Sequence, residues 1–250
     1  MKFDIPVPCF FGGMDFCEAL KIISGLGFDK VETYDRKALN IDAVNETCRR
    51  YNIELVSMCT SFFCMTDPQY RKIWVDNLAE SCENASKLGV KKLITQVGND
   101  TGEERAYQHK SIVDALKEAK PILENYGVTL MIEPLNTLVD HKGYYLTSSL
   151  EAFDIVRESE SEFIKVVYDI YHQQISEGNI IPNISANLDC IAHLHCAGHP
   201  GRHDLQFGEN DYHIIFDAVD KAGYTGLCGL EYSPVGDPCE SLRQFRILYL

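Results

Sequence analysis

The chain has 250 residues, 45% of them hydrophobic, and a formal net charge of −14. That length fits one (β/α)8 barrel of about 250 residues, with enough apolar side chains for a large core. The acidic balance argues against the basic footprint of a nucleic-acid or anionic-membrane partner. Ten cysteines, scattered without a C-x-x-C pair and several within apolar runs, read as small core side chains in a reduced compartment. The start Met1-Lys2-Phe3-Asp4-Ile5-Pro6 carries no signal-peptide apolar region, and no apolar stretch approaches the roughly 18 residues of a membrane span. A cytoplasmic location without membrane attachment is the expectation.

Strand-like runs are expected over residues 3–11, 30–34, 54–60, 92–97, 129–133, 164–169, 192–196 and 226–231. Between them run amphipathic segments, for example 16–26, 41–51, 73–88 and 106–126. In the third, Leu78, Cys82, Ala85 and Leu88 recur at helical spacing, so one face should pack on a sheet. Gly27, Gly89, Gly127 and Gly223 each stand between a helix and the next strand, where a left-handed residue ends the helix. Strands alternating with helices of this length imply βαβ units and a parallel sheet. Eight such units favour an α/β closed barrel, a single TIM-barrel domain over residues 1–250. No glycine-rich phosphate motif follows any strand, so no nucleotide cofactor is expected.

Four of the later strands end in residues able to bind a divalent metal: Glu133, Asp169, His195 and Glu231, spaced by 36, 26 and 36 positions. Buried strands are near-continuous apolar runs, so charge at their last residue has to be explained. In a parallel barrel these strand ends face the active-site side. A single such residue reads equally well as a helix N-cap or a solvated loop start. Four in consecutive units, with no Lys or Arg close in sequence to pair most of them, read as one metal site. Five of the eight histidines fall between His172 and His203. His193 and His195 share one face of their strand; His195 at the end reads as the ligand, His193 as a hydrogen-bonded support. His172 is expected on the loop after the sixth strand, facing the same pocket. Arg202, in the Gly198-His199-Pro200-Gly201-Arg202 loop, is either a fork for substrate oxygens or an exposed surface charge. Gln96 either orients a substrate hydroxyl or caps a helix. Glu32, at the end of the second strand, reads either as a pocket residue or, the safer view, as a solvated or helix-capping carboxylate.

The stretches Glu133-Pro134-Leu135-Asn136, Tyr168-Asp169-Ile170-Tyr171-His172, Pro200-Gly201-Arg202-His203, Gly208-Glu209 and Gly229-Leu230-Glu231-Tyr232 resemble the hydroxypyruvate isomerase family of xylose-isomerase-like sugar isomerases and epimerases. The first half of the chain matches by architecture alone. The resemblance implies that Glu133 and Glu231 bind the metal and act as an acid/base pair, that Asp169 and His195 complete the site, and that His172 and Arg202 hold the substrate. It implies a small sugar or hydroxy-keto acid as substrate, and relatives often pair as homo-oligomers. Hydroxypyruvate isomerases usually carry glutamine where this chain has His195, and ketose 3-epimerases carry histidine. The expected activity is therefore a metal-dependent isomerase working through a cis-enediolate; the alternatives are a ketose 3-epimerase or a lyase or dehydratase of the same barrel group. The histidine favours Mn²⁺, Co²⁺ or Zn²⁺ somewhat over Mg²⁺. An abasic-site endonuclease of this fold would need more histidine ligands and a basic face.

Overall fold

The computed structural model describes residues 1–34, 39–62 and 64–250. Along the chain run β1 (Lys2–Pro6), α1 (Val7–Phe11), α2 (Phe16–Gly25), β2 (Lys30–Thr33), α3 (Ile41–Tyr51), β3 (Glu54–Cys59), α4 (Arg71–Leu88), β4 (Lys92–Thr95) and α5 (Arg105–Tyr126). Then follow β5 (Thr129–Ile132), α6 (Ser149–Glu158), β6 (Ile164–Asp169), α7 (Ile170–Ser176), α8 (Ile180–Ala186), β7 (Ile191–Cys196), α9 (Tyr212–Lys221), β8 (Leu227–Leu230) and α10 (Pro238–Tyr249). The strands pair in parallel in chain order, and β8 returns to β1 to close the barrel. Closure leaves no unpaired sheet edge.

One expected strand is in part a helix. The apolar run 3–11 divides at Pro6: β1 ends there and α1 begins at Val7. Pro8 sits in the first turn of α1, where a missing N–H and a fixed φ do no harm. An unbroken apolar run has no period to separate strand from helix, so only the prolines could mark this boundary. Among the described residues no helix is long and apolar enough to cross a membrane.

Strand alternation sorts side chains into two compartments. Outward-facing Val31, Leu55, Leu93, Leu130, Val166 and Leu194 pack under the helices in the main core. Inward-facing Cys59, Ile94, Met131 and Val167, from β3 to β6, form a separate small apolar cluster that plugs one side of the barrel interior. Asp4, Glu32, Ser57, His193 and His195, on β1, β2, β3 and β7, fall on the same inward alternation and are buried. Half of this interior is therefore polar, and the C-terminal strand ends above it carry the acids.

Candidate active site

Asp169 closes β6 and pairs across the ladder with His195 on β7. Glu133 and Glu231 directly follow β5 and β8. One ligand-capable atom of each of these four residues lies within 4.8 Å of all the others. The side chains are almost dry: Asp169 is fully covered, and Glu231, the most open, is 12% exposed. Carboxylates so close and so poorly hydrated disfavour one another's charge. Burial, then the nearby Glu231, pushes Asp169 up to about 8. Burial also raises Glu133. Glu231 is the exception: burial raises it, but Arg202 and then His195 outweigh that and hold it well below the usual carboxylate range.

The donor set fits a divalent cation. His195 Nδ1 lies 3.1 Å from Glu231 Oε2 and 3.7 Å from Glu133 Oε1, yet it has no hydrogen-bond partner among the described residues. A buried ring nitrogen left over among three carboxylates is a mixed nitrogen and oxygen set of hard-to-borderline character. Glu133, Asp169, His195 and Glu231 are the residues able to hold such an ion.

Of the two readings of Arg202, the exposed surface charge is not what the structure shows. Its guanidinium donates to Glu231 Oε2 at 2.6 Å and Asp169 Oδ2 at 3.4 Å, and rests over the Tyr171 ring with 5.1 Å to the centroid. The loop after β7 folds back on itself through the Gly198–His203 bridge, and the Ser233 N–H donates to the Arg202 carbonyl. Arg202 itself has φ 54°, a conformation that costs a non-glycine residue roughly 1 kcal/mol or more. Sequence spacing carries no sign of that reversal.

His172 sits in the first turn of α7, where a loop was expected, and is fully buried. Its Nδ1 accepts from the Asn136 backbone N–H at 3.3 Å and the Asn136 side-chain amide at 2.7 Å. The ring proton is then on Nε2, which has no hydrogen-bond partner and lies 3.5 Å from Asp169 Oδ2. Burial, helped by Arg202, holds His172 down to about 3, so it is a neutral donor. Gln96 directly follows β4 and is half-buried; no hydrogen bond joins its side chain to the cluster among the described residues.

Glu32 is not a solvated or helix-capping carboxylate, the safer of its two readings. It is fully buried inside the barrel and accepts from Ser57, from His193 Nε2 at 2.9 Å and from His195 Nε2 at 3.2 Å. Strand alternation after outward Val31 turns it inward, and a register shift against β3 sets Ser57 opposite it. Tyr34 was missed: its hydroxyl donates to Glu231 Oε1 at 2.5 Å and lies 3.2 Å from Cys9 Sγ. The spacing of two between Glu32 and Tyr34, on a strand feeding the barrel mouth, was the available signal.

A closed barrel with acids and a histidine at the C-terminal strand ends places the chain among TIM-barrel proteins with a metal-type site. Residues 20–246 match the xylose isomerase-like TIM barrel family, and the chain belongs to it. It is 32% identical to the hydroxypyruvate isomerase of Escherichia coli (strain K12) over 160 residues, 64% of this chain and 62% of that one. It is 39% identical to the 2-oxo-tetronate isomerase of Cupriavidus necator over 108 residues, 43% of this chain and 41% of that one. The match thus spans less than two thirds of either relative's length. The crystal structure of an AP endonuclease, family 2 from Brucella melitensis has a TM-score of 0.92 and 24% identity, covering 99% of both chains; that likeness is one of fold.

Proposed function

We propose that this chain is a metal-dependent isomerase of a small hydroxy-carbonyl substrate, of the hydroxypyruvate or 2-oxo-tetronate type, with Glu133 and Glu231 as its acid/base pair. The observation that carries the reading is the meeting of Glu133, Asp169, His195 and Glu231 within 4.8 Å. Similarity to a hydroxypyruvate isomerase and a 2-oxo-tetronate isomerase supports it. The reaction removes a carbon-bound proton beside a carbonyl and returns one to the neighbouring carbon through a cis-enediolate. A divalent ion held by the four residues supplies Lewis-acid stabilisation of negative charge on the substrate oxygens.

The protein's own groups do the rest. Glu133 and Glu231 reach the pocket from different strands, so one takes the proton and the other returns it, and they exchange roles in reverse. Arg202 and Tyr34 hold the two oxygens of Glu231, which fixes its direction. His172 offers its unpaired Nε2–H to a substrate oxygen, and Arg202 offers its remaining donors to a carboxylate or hydroxyl. Asp169 and His195 are expected to hold the ion and move no proton.

A second reading, ketose 3-epimerase, is favoured by one residue: His195 stands where the hydroxypyruvate isomerases usually carry glutamine. The same pair would then work on opposite faces of one carbon. The test is purified protein stripped of metal, reloaded with Mn²⁺, Co²⁺, Zn²⁺ or Mg²⁺, and assayed on hydroxypyruvate, tartronate semialdehyde, 2-oxo-tetronate and a panel of ketoses in D₂O. The proposal expects metal-dependent turnover with solvent deuterium at one carbon; an inverted ketose selects the epimerase. Absence of both turnover and exchange with every metal sinks it. Solution mass measurement tests the accompanying expectation of a homo-oligomer.

A further inference from the structure

We propose that Glu32 is the positioning residue that chooses which nitrogen of His195 faces the metal pocket. This rests on the metal-centre reading above. A carboxylate has acceptors and no donor. His195 Nε2 lies 3.2 and 3.3 Å from the two Glu32 oxygens, so Nε2 carries the ring proton. The opposite nitrogen, Nδ1, is then the bare lone pair, and it is the atom among Glu133, Asp169 and Glu231 that lacks a hydrogen-bond partner. In the reversed tautomer, a lone pair would face the Glu32 carboxylate and an N–H would point at Glu231, 3.1 Å away. A proton would then occupy the place of the cation.

Glu32 can make this choice because it cannot turn away. The Ser57 hydroxyl donates to Oε2, and His193 Nε2 to Oε1 at 2.9 Å. The β8 backbone closes the remaining side: a Cβ at Gly229 would come 2.4 Å from Glu32 Oε1 and 2.7 Å from His195 Cδ2. Three other strands thus converge on one carboxylate below the pocket. Hydrogen-bond partners of this kind, one step behind a ligating histidine, typically change metal affinity by about 10–100-fold.

The experiment measures Mn²⁺ affinity by equilibrium dialysis, and the metal-induced rise in Tm, for Glu32→Gln alone and combined with His195→Gln. The expected result is a Kd raised roughly 10–100-fold by Glu32→Gln in the His195 background, and under about threefold once His195 is replaced, because the effect runs through the imidazole. Glu32→Gln binding Mn²⁺ like the unmodified protein overturns the inference, as does an equal loss in both backgrounds, which would mark a general structural role. Where Glu32→Gln does not fold, Ser57→Ala frees Glu32 on one side and enters the same cycle, with the same two outcomes deciding. Asp169→Asn and Glu133→Gln serve as controls. If they bind Mn²⁺ unchanged, the metal reading itself fails; if they weaken it while Glu32→Gln does not, only the role of Glu32 falls.

Discussion

The barrel mouth and the barrel interior just beneath it both gather buried carboxylates, and they are built on opposite terms. Beneath, Glu32 is saturated, with donors from Ser57, His193 and His195, although the Asp4 carboxylate and His193 Nδ1 beside it have no hydrogen-bond partner among the described residues. At the mouth, Arg202 pairs with Asp169 and Glu231, and His195 Nδ1 and His172 Nε2 have no hydrogen-bond partner among the described residues. A saturated buried carboxylate stabilises its own placement, whereas unsatisfied groups cost free energy until a ligand arrives. The Glu32 cluster is organised for rigidity and the mouth for capture.

If that division holds, variants at the mouth should affect chemistry far more than folding. Glu133→Gln and Glu231→Gln keep side-chain shape and should each lower kcat by about 10²–10⁴-fold in a metal-loaded assay, with Tm held or raised. Near-normal turnover in Glu231→Gln would remove it from the acid/base pair. Stripping the metal comes next. An ion present at 100 times its Kd stabilises by about 2.7 kcal/mol, which for a chain of this length is roughly 5–10 °C in Tm by calorimetry. Arg202→Lys replaces a fork with a point charge and should lower kcat/KM by roughly 10–100-fold, mostly through KM, in steady-state kinetics.

The interior should behave in reverse. Gly229→Ala drives a methyl into Glu32 and His195 and should destabilise by about 1–3 kcal/mol, read as a lower denaturation midpoint at unchanged m. A fully stable Gly229→Ala would mean that this level has slack. The smallest effect is expected at Gln96. Gln96→Ala should leave Tm alone and raise KM by at most about tenfold, the worth of one hydrogen bond to substrate; an unchanged KM removes it from the substrate contacts.

Much of the barrel was legible because its signals are local. β6 falls on its expected 164–169 span, and glycine marks the C-terminal ends of α4 and α5. The four strand-end residues were legible for a related reason: a charge that ends an apolar run is visible in one dimension. Glu32 was not, because its donors Ser57, His193 and His195 come from strands distant in sequence that only the closed barrel brings beside it. Arg202 was named, but its pairing with Glu231 and Asp169 was not, because its reach depends on a left-handed backbone and a loop that doubles back. His172 was placed beside the right pocket but on a loop, since α7 begins directly at the residue after Asp169 with no intervening turn signal.

Asp169 divides its two oxygens between two tasks. Oδ1 accepts the Tyr171 N–H at 2.8 Å and so starts α7, while Oδ2 faces Arg202 and the pocket. Asparagine can still cap a helix and alanine cannot. Amide exchange in the first turn of α7 should therefore stay slow in Asp169→Asn and quicken in Asp169→Ala, although both lose a charge. Because one side chain serves both ends, occupancy at the pocket can be read remotely as the protection of that helix's opening turn.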